Sequence, residues 1–246
     1  DKLNIMLSFE NLVVATLRSQ FAAIVGNIVV TLPTAMIIAL AYHWITGQPA
    51  MDLAKVQHTL HDLSPIASLA IPHAALTGVL LFLAGLLSGF FDNKAAYDRI
   101  PERIAHLGWL RRLIGPQRTD RLADYIGRNL GSLAGNFLLG IMLASLAPLG
   151  EFLGLPLDVR HVTLSSANFA LALTSLDFHI SLLTLAETLA GIALVGFTNL
   201  AVSFVLALWV ALKARGADIT ASQGLAALLL ERLRTEPARF FVPPRP

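Results

Sequence analysis

Four long apolar stretches in this chain of 246 residues limit what it can fold into. Residues 22–45, 66–91, 130–150 and 189–212 contain no Lys, Arg, Asp or Glu. A helix of about 20 such residues crosses the roughly 30 Å hydrocarbon core of a bilayer. The sequence therefore predicts an all-α, polytopic membrane helical bundle with four transmembrane spans plus interfacial helices.

The basic residues are divided unequally by these spans. Of the 18 Lys and Arg residues, all but Lys55 and Arg160 precede the first span, separate the second from the third, or follow the fourth. Because cytoplasmic flanks collect Lys and Arg, we predict a multi-pass membrane protein with both termini in the cytoplasm.

Composition agrees with this topology. The chain is 55% hydrophobic and 14% charged, with a mean hydropathy of +0.67, which disfavours a water-soluble core. With no Cys, it has neither disulfides nor thiolate metal sites. The loops are too short for a second globular domain, so we expect one membrane domain over residues 1–246. The chain opens at Asp1 without a Met, and we expect it to continue a longer protein.

The inner loop, residues 92–128, has an amphipathic pattern. Apolar residues recur at helical spacing while arginines project between them; the apolar positions are Ile100, Ile104, Leu107, Leu110 and Ile114. We predict a helix lying on the inner leaflet, with anionic lipid as its partner; the alternative is a solvated loop. Acidic residues interleave with the basic ones, so nucleic acid is not an expected partner. A further helix from about Thr119 should run unbroken into the third span.

The outer loops are predicted to hold short helices. Residues 50–63 read as one, Ser64-Pro65 reads as the start of the second span, and Pro72 should kink that span. In segment 158–180, the apolar run 162–176 is too short to cross, and a crossing would place the basic C-terminal tail outside. We therefore predict a re-entrant or outer-surface segment.

A weak internal repeat relates the two halves of the chain. Gly26-Asn27 of the first span aligns with Gly135-Asn136 of the third, and residues 76–79 resemble 189–192. A parallel two-fold repeat about the membrane normal would explain the match. Chance similarity between apolar sequences is the alternative.

Histidines gather at the predicted outer face. Imidazole with nearby carboxylate suits Zn²⁺, Cu²⁺ or Ni²⁺, so a divalent metal is a candidate cofactor there. Alternatively, each histidine contacts headgroups or a helix end separately. The candidate ligands are His58, His61, His73, His161 and His179.

Polar residues inside the spans form a second candidate set. Asn27, Asn136 and Asn199 should face the bundle interior, where they either join helices or line a solute path, and Glu187 should sit at the outer rim. The motif Gly131-x-x-x-Gly135 and a second one, at 85 and 89, are expected to allow close helix packing. The sequence shows no P-loop, G-x-S-x-G or H-E-x-x-H signature, so no catalytic residue is predicted.

Three runs of the sequence carry a family resemblance. Residues 71–97, 128–136 and 161–166 resemble a bacterial multi-pass membrane family catalogued as site-specific recombinases, and the likeness covers about 24–176. The resemblance implies a location in the bacterial inner membrane and a membrane region that forms the C-terminal part of a longer protein. A tyrosine recombinase would be expected to contain the motif His-x-x-Arg. None of the seven histidines has an arginine three positions after it.

Two functions follow from these observations. The first is a membrane module for small-solute transport, sensing or anchoring, with an upstream domain or a second copy as its partner besides the bilayer. The second is a membrane-anchored DNA-processing protein whose recombinase activity lies in a missing upstream region.

Overall fold

The structure is a computed structural model that describes residues 2–214 and 219–242, with side chains described for 10–214, 224 and 227–242. Arg215 and Arg245, whose charges entered the topology prediction, lie outside the described residues, as does Asp1. Within those ranges the chain forms helices and no strand. In chain order they are α1 Lys2–Thr46, α2 Leu53–Asp62, α3 Ala70–Tyr97, α4 Ile100–Ala105, α5 Gly108–Ile114, α6 Pro116–Leu153, α7 Val162–Ser175, α8 Leu182–Ala214, α9 Ile219–Thr235 and a 3₁₀ helix at Pro237–Phe240.

Four of these helices, α1, α3, α6 and α8, are long and apolar enough to cross a membrane. Only 11% to 28% of the residues in their apolar windows are buried within the protein. Apolar side chains therefore cover their outer surfaces, where a bilayer would solvate them and water would not. The prediction of an all-α chain with four long apolar helices is confirmed.

The chain divides into two compact units, residues 1–75 with 160–246 and residues 76–159. In the first unit α7 lies against α1, α2 and α8. Its core includes Leu63, Val162, Phe169 and Ile192. The shortest strongly apolar helix is thus the best-covered one, since seven of its fourteen residues are buried.

The N-terminal part of α1 continues beyond the predicted span and holds the C-terminal elements. Glu10, buried in α1, forms an ion pair with Arg232 of α9, with 2.8 Å between Oε1 and Nε. Phe21 packs edge-on against Phe241, with ring centroids 4.8 Å apart. At about 1.5 Å per residue, the 45 residues of α1 extend for about 68 Å, roughly twice the hydrocarbon thickness.

In the second unit, the long helix α6 is the one against which the short helices pack. It runs unbroken from Pro116 through the third apolar stretch, as predicted, and α4 and α5 pack against it. Small residues bring α3 and α6 together: a Cβ at Gly131 would overlap Asp92 and the Ser88 carbonyl, and the Gly131 N–H donates to Asp92 Oδ1 at 2.9 Å. The predicted close packing at Gly131 and Gly135 is confirmed.

The second predicted small-residue motif behaves differently. A Cβ at Gly85 or Gly89 would meet nothing within 4 Å, because Ala84 and Ser88 make the contact with Gly135 instead. The prediction for that motif is wrong: it has the right spacing, but both glycines lie on the exposed side of α3.

Two local predictions about proline and turns are also corrected. Helix α3 begins at Ala70 and not at Ser64-Pro65, because residues 63–69 form turns held by the Ser64 and Ser68 hydroxyls. Pro72 therefore falls in the first turn of α3, where a missing N–H breaks no helical hydrogen bond. The kink predicted at Pro72 has no cause in this position.

The inner amphipathic segment is two helices, α4 and α5, where one was predicted. Nδ1 of His106 lies 2.7 Å from the Glu102 carbonyl oxygen, and Leu107 is extended, with φ −69° and ψ 104°. The same carbonyl oxygen also accepts from the His106 backbone N–H at 3.1 Å, so α4 closes at His106, and after the extended Leu107 the helix restarts at Gly108.

Candidate functional site at the start of α7

Asn199 fastens the beginning of α7 to the middle of α8. Its side chain is 3% exposed. Nδ2 donates to the carbonyl oxygens of Arg160 (2.9 Å) and Ala74 (2.8 Å), and Oδ1 accepts from the Val162 N–H at 3.2 Å. A carboxamide has two N–H donors, and both are used. The Asn199 amide is therefore hydrogen-bonded to backbone groups of two separate segments, the start of α7 and the first turns of α3.

His161 caps the first turn of α7. Its Nδ1 accepts from the Thr163 N–H at 3.3 Å, so in the neutral ring the proton must be on Nε2. Burial lowers the pKa of His161 below its ordinary value of 6.5, because desolvation penalises the charged ring. The neutral form is also the only one that can accept this hydrogen bond through Nδ1.

Arg160 pairs with Asp62 just before this cap. Nη2 of Arg160 lies 2.9 Å from Asp62 Oδ2, and the arginine is only 13% exposed. Two exposed histidines share the same carboxylate: Nδ1 of His58 lies 3.2 Å from Oδ2 and Nδ1 of His61 lies 3.8 Å from Oδ1. Asp62 therefore joins the C-terminal end of α2 to the segment that leads into α7.

Glu187 lies on the same unit and is joined to the turn after α2. Its Oε1 accepts a short hydrogen bond from the buried Ser64 hydroxyl, and Ser64 Oγ also accepts from the Ala67 N–H at 3.0 Å. One turn further along α8, a Cβ on Gly191 would overlap the Leu63 carbonyl oxygen. Here α8 and the turn after α2 are in direct backbone contact.

The predicted histidine ligands are placed at several separate points. His58 and His61 meet at Asp62, His161 caps α7, His73 lies in the first turn of α3, and Nδ1 of His179 lies 3.3 Å from the Leu176 carbonyl. Among the residues that the structure describes, no group of three or more His, Cys, Asp or Glu is arranged to hold a metal ion. A divalent metal at this face stays a prediction.

The three predicted asparagines have unlike surroundings. Asn199 is buried and fully engaged, whereas Asn27 on α1 and Asn136 on α6 are both exposed. Asn27 and Asn136, which align in the predicted internal repeat, are thus both exposed, and Asn199 differs from both.

Sequence reasoning missed the roles of Arg160, Asp62 and Glu10. Arg160 and Asp62 are 98 positions apart, and Glu10 and Arg232 are 222 apart. The available signal for Arg160 was its place directly before an apolar run too short to span a membrane. A charge there needs a partner if that run is buried.

These polar groups give the site a structural role. The Asn199 amide bonds to the Arg160 backbone, the Arg160 guanidinium pairs with Asp62, and the Ser64 hydroxyl bonds to Glu187. Such bonds hold the short helix α7 in the apolar environment of three neighbouring helices and satisfy backbone groups at its first turn.

Comparison with known proteins gives one match. The family model described as "Site-specific recombinase" matches residues 2–243, nearly the whole chain. No curated protein and no solved structure matches this chain significantly.

Proposed function

We propose that this chain, which belongs to the site-specific recombinase family, is an integral protein of the bacterial inner membrane that anchors cytoplasmic elements. The exposed apolar surfaces of α1, α3, α6 and α8 support the membrane location, and the one-sided distribution of basic residues supports cytoplasmic termini. The anchoring role rests chiefly on Asn199, whose side-chain amide is hydrogen-bonded to backbone groups through both of its N–H donors and its oxygen.

Anchoring is favoured over transport because of that amide. A solute path through the spans needs polar groups with spare hydrogen-bonding capacity. Both N–H donors of Asn199 are hydrogen-bonded to backbone carbonyls, and Asn27 lies on an exposed surface of α1. In contrast, α1 continues about 20 residues past its predicted span and holds α9 there, which suits a support for cytoplasmic elements.

In this proposal α7 is a re-entrant helix. Its first turn bonds to Asn199, 17 residues and about 26 Å along α8, while Ser175 at its other end accepts a hydrogen bond from the Met51 N–H, just after α1 ends. Helix α7 would then enter from the outer surface and reach about the middle of the bilayer. Its buried surroundings satisfy the requirement that non-spanning backbone at such depth be covered by protein.

The inner surface is proposed to bind anionic lipid through α5. Trp109 and Leu113 are 63% and 73% exposed on this helix, and Arg112 beside them is also exposed. An aromatic and an aliphatic side chain next to a guanidinium suit the headgroup layer of an anionic leaflet.

Topology reporters test the proposal directly. Fusions after Lys213 and within residues 111–121 should report a cytoplasmic location, and fusions at Lys55 and Arg160 an external one. A cytoplasmic signal at Arg160, or extraction of the protein from membranes by alkaline carbonate, would contradict the four-span topology.

The family description favours a second candidate, a DNA-processing protein held at the membrane by this chain. Residues outside the chain would then carry the strand-exchange chemistry. Full-length protein should recombine a plasmid substrate, and substituting both inner tyrosines, Tyr97→Phe and Tyr125→Phe, should leave the rate unchanged. Loss of activity in that double variant would move the chemistry into this chain, and inactivity of the full-length protein would remove the candidate.

A further inference from the structure

A buried ion pair joins the N-terminal part of α1 to α9. Both oxygens of the Glu10 carboxylate face Arg232: Oε1 lies 2.8 Å from Nε, and Oε2 accepts from Nη2 at 3.4 Å. Glu10 is 2% exposed and Arg232 is 20% exposed. Among the side chains that the structure describes, Glu10 is the only charged one in the buried class. This contact therefore removes two opposite charges from water.

The contact continues along residues 232–242, which we call the C-terminal arm. Arg18 Nη1 donates to the Arg239 carbonyl oxygen at 3.3 Å, and Phe21 packs edge-on against Phe241. These two residues of α1 follow the buried carboxylate by about two and three helical turns, so all three share one face of the helix. The C-terminal arm is thus held along a single face of α1.

The buried ion pair adds little net stability to this contact. The cost of taking a carboxylate and a guanidinium out of water is about as large as their attraction, and apolar side chains in their place often hold such a contact more tightly. Glu10 precedes the apolar stretch that begins at residue 22 by 12 residues, about 18 Å along the helix. Both charges would therefore return to water if the C-terminal arm separated from α1.

The C-terminal arm contains a second partner for the same arginine. Glu236 lies one helical turn after Arg232, and its Oε1 is already 4.0 Å from Arg232 Nη1. Glu236 is exposed and also pairs with Arg239. Because these three residues all belong to the C-terminal arm, their pairing does not depend on α1. Only Glu10 loses its partner on separation, and water then solvates it.

We propose that the C-terminal arm is a reversible clasp on α1, in which Arg232 exchanges Glu10 for Glu236 when the clasp opens. The structure contains the closed position. Opening leaves the apolar stretches of the four long helices in place, because the contacts at Glu10, Arg18 and Phe21 all precede residue 22. This inference goes beyond the proposed anchoring role, since it gives the C-terminal elements two positions on their support.

Spin labels can measure the two positions because the natural chain has no cysteine. Labels at Leu12→Cys and Leu233→Cys, both exposed positions, should report a short distance for the closed clasp and a longer one for the open clasp. In the full chain in liposomes, both distances should be present and the short one should predominate.

Removing one charge of the pair should open the clasp. Glu10→Gln leaves the guanidinium of Arg232 without its carboxylate in the closed position and should raise the open-to-closed ratio by about tenfold or more. The matched control is Glu231→Gln, which removes an exposed carboxylate of α9 that forms no ion pair within the described residues. The control should leave the ratio unchanged. Unchanged hydrogen exchange at the start of α7 shows that the rest of the unit stays folded.

Two further variants separate a reversible clasp from a fixed contact. Glu10→Leu combined with Arg232→Leu replaces the ion pair with apolar side chains and should lower the open-to-closed ratio below that of the natural chain. Glu236→Gln removes the partner that Arg232 takes in the open position and should lower the ratio about twofold. In a fixed contact, Glu236 would only support the closed position, and its loss would raise the ratio.

Three results would overturn the proposal. The first is a single distance that Glu10→Gln does not change. The second is a double leucine variant that opens as far as Glu10→Gln, because the ion pair would then be needed only to hold the contact. The third is a higher open-to-closed ratio in Glu236→Gln.

Discussion

Helix α7 and the long helix α8 are both strongly apolar, yet their surroundings differ. On α7, half of the residues are buried against α1, α2 and α8. On α8, large side chains such as Phe197 and Val205 point outward and are 67% and 61% exposed. Hydropathy alone therefore does not distinguish a helix covered by protein from one whose apolar side chains face outward. Length does, because fourteen residues are too few to cross a bilayer.

The largest difference between the two helices should appear when a phenylalanine is truncated. Phe169 of α7 is 3% exposed, and Phe169→Ala should lower the free energy of unfolding by about 3 kcal/mol, at the low end for buried Phe because lipid also solvates the unfolded segment. Phe197→Ala on α8 is the matched control and should cost little. Reversible unfolding in mixed micelles measures both, and equal costs would erase the distinction.

Glycines provide the next comparison. Gly191→Ala places a Cβ on the Leu63 carbonyl oxygen and should destabilise the protein by about 2 kcal/mol, since backbone on both sides must shift. Gly85→Ala faces open space in α3 and should be neutral or slightly stabilising, because Ala favours helix. The same unfolding measurement applies. A neutral Gly191→Ala would mean that α8 and the turn after α2 are less closely packed.

Asparagines should show a smaller contrast in stability. Asn199→Leu removes the hydrogen bonds from the amide to the Val162 N–H and the Arg160 carbonyl, which should cost about 1.5 kcal/mol and increase hydrogen exchange at the start of α7. Asn27→Leu removes an exposed amide and should leave exchange in α7 unchanged. If Asn199→Leu also left it unchanged, the amide would not be what fastens α7.

The smallest expected effect is a pH dependence confined to α7. Burial lowers the pKa of His161, which lies outside the four long helices, so stability from the neutral ring is complete above pH 6.5. It is lost as the pH falls below 6.5 toward the lowered pKa, because the unfolded state takes up a proton that the folded ring refuses. Hydrogen exchange at Thr163, relative to its intrinsic chemical rate at each pH, should therefore rise on acidification.

A substitution at the cap separates this effect from general acid sensitivity. In His161→Asn the cap oxygen does not titrate in this range, so exchange at Thr163 should lose its pH dependence beyond the intrinsic chemical rate. His58 pairs with Asp62 and not with the Thr163 N–H, so His58→Asn should retain the pH dependence. An identical pH profile in both variants would show that another group titrates.

The sequence predicted the elements that are determined by residues close together in the chain. The uncharged stretches located the four long helices, and the lack of helix breakers other than isolated glycines from Asp120 to Asn136 predicted the continuity of α6. The missed features depend on distant partners. Nothing near Arg160 indicates Asp62, 98 positions earlier, and nothing near Asn199 indicates that its amide meets the start of α7. The break between α4 and α5 was missed because the spacing of the apolar residues does not reveal the extended backbone of Leu107.

The bond between Asn199 and Val162 implies an order of events while the protein is being made. Val162 leaves the ribosome 37 residues before Asn199, so the first amide of α7 has no partner until much of α8 has been synthesised. We therefore expect α7 to enter its final position late, after the translocon has released α8. Nascent chains stalled with Asn199 still inside the ribosome should be cleaved by protease within α7, whereas chains released after Ala214 should resist it. Equal resistance in both would show that α7 is seated without α8.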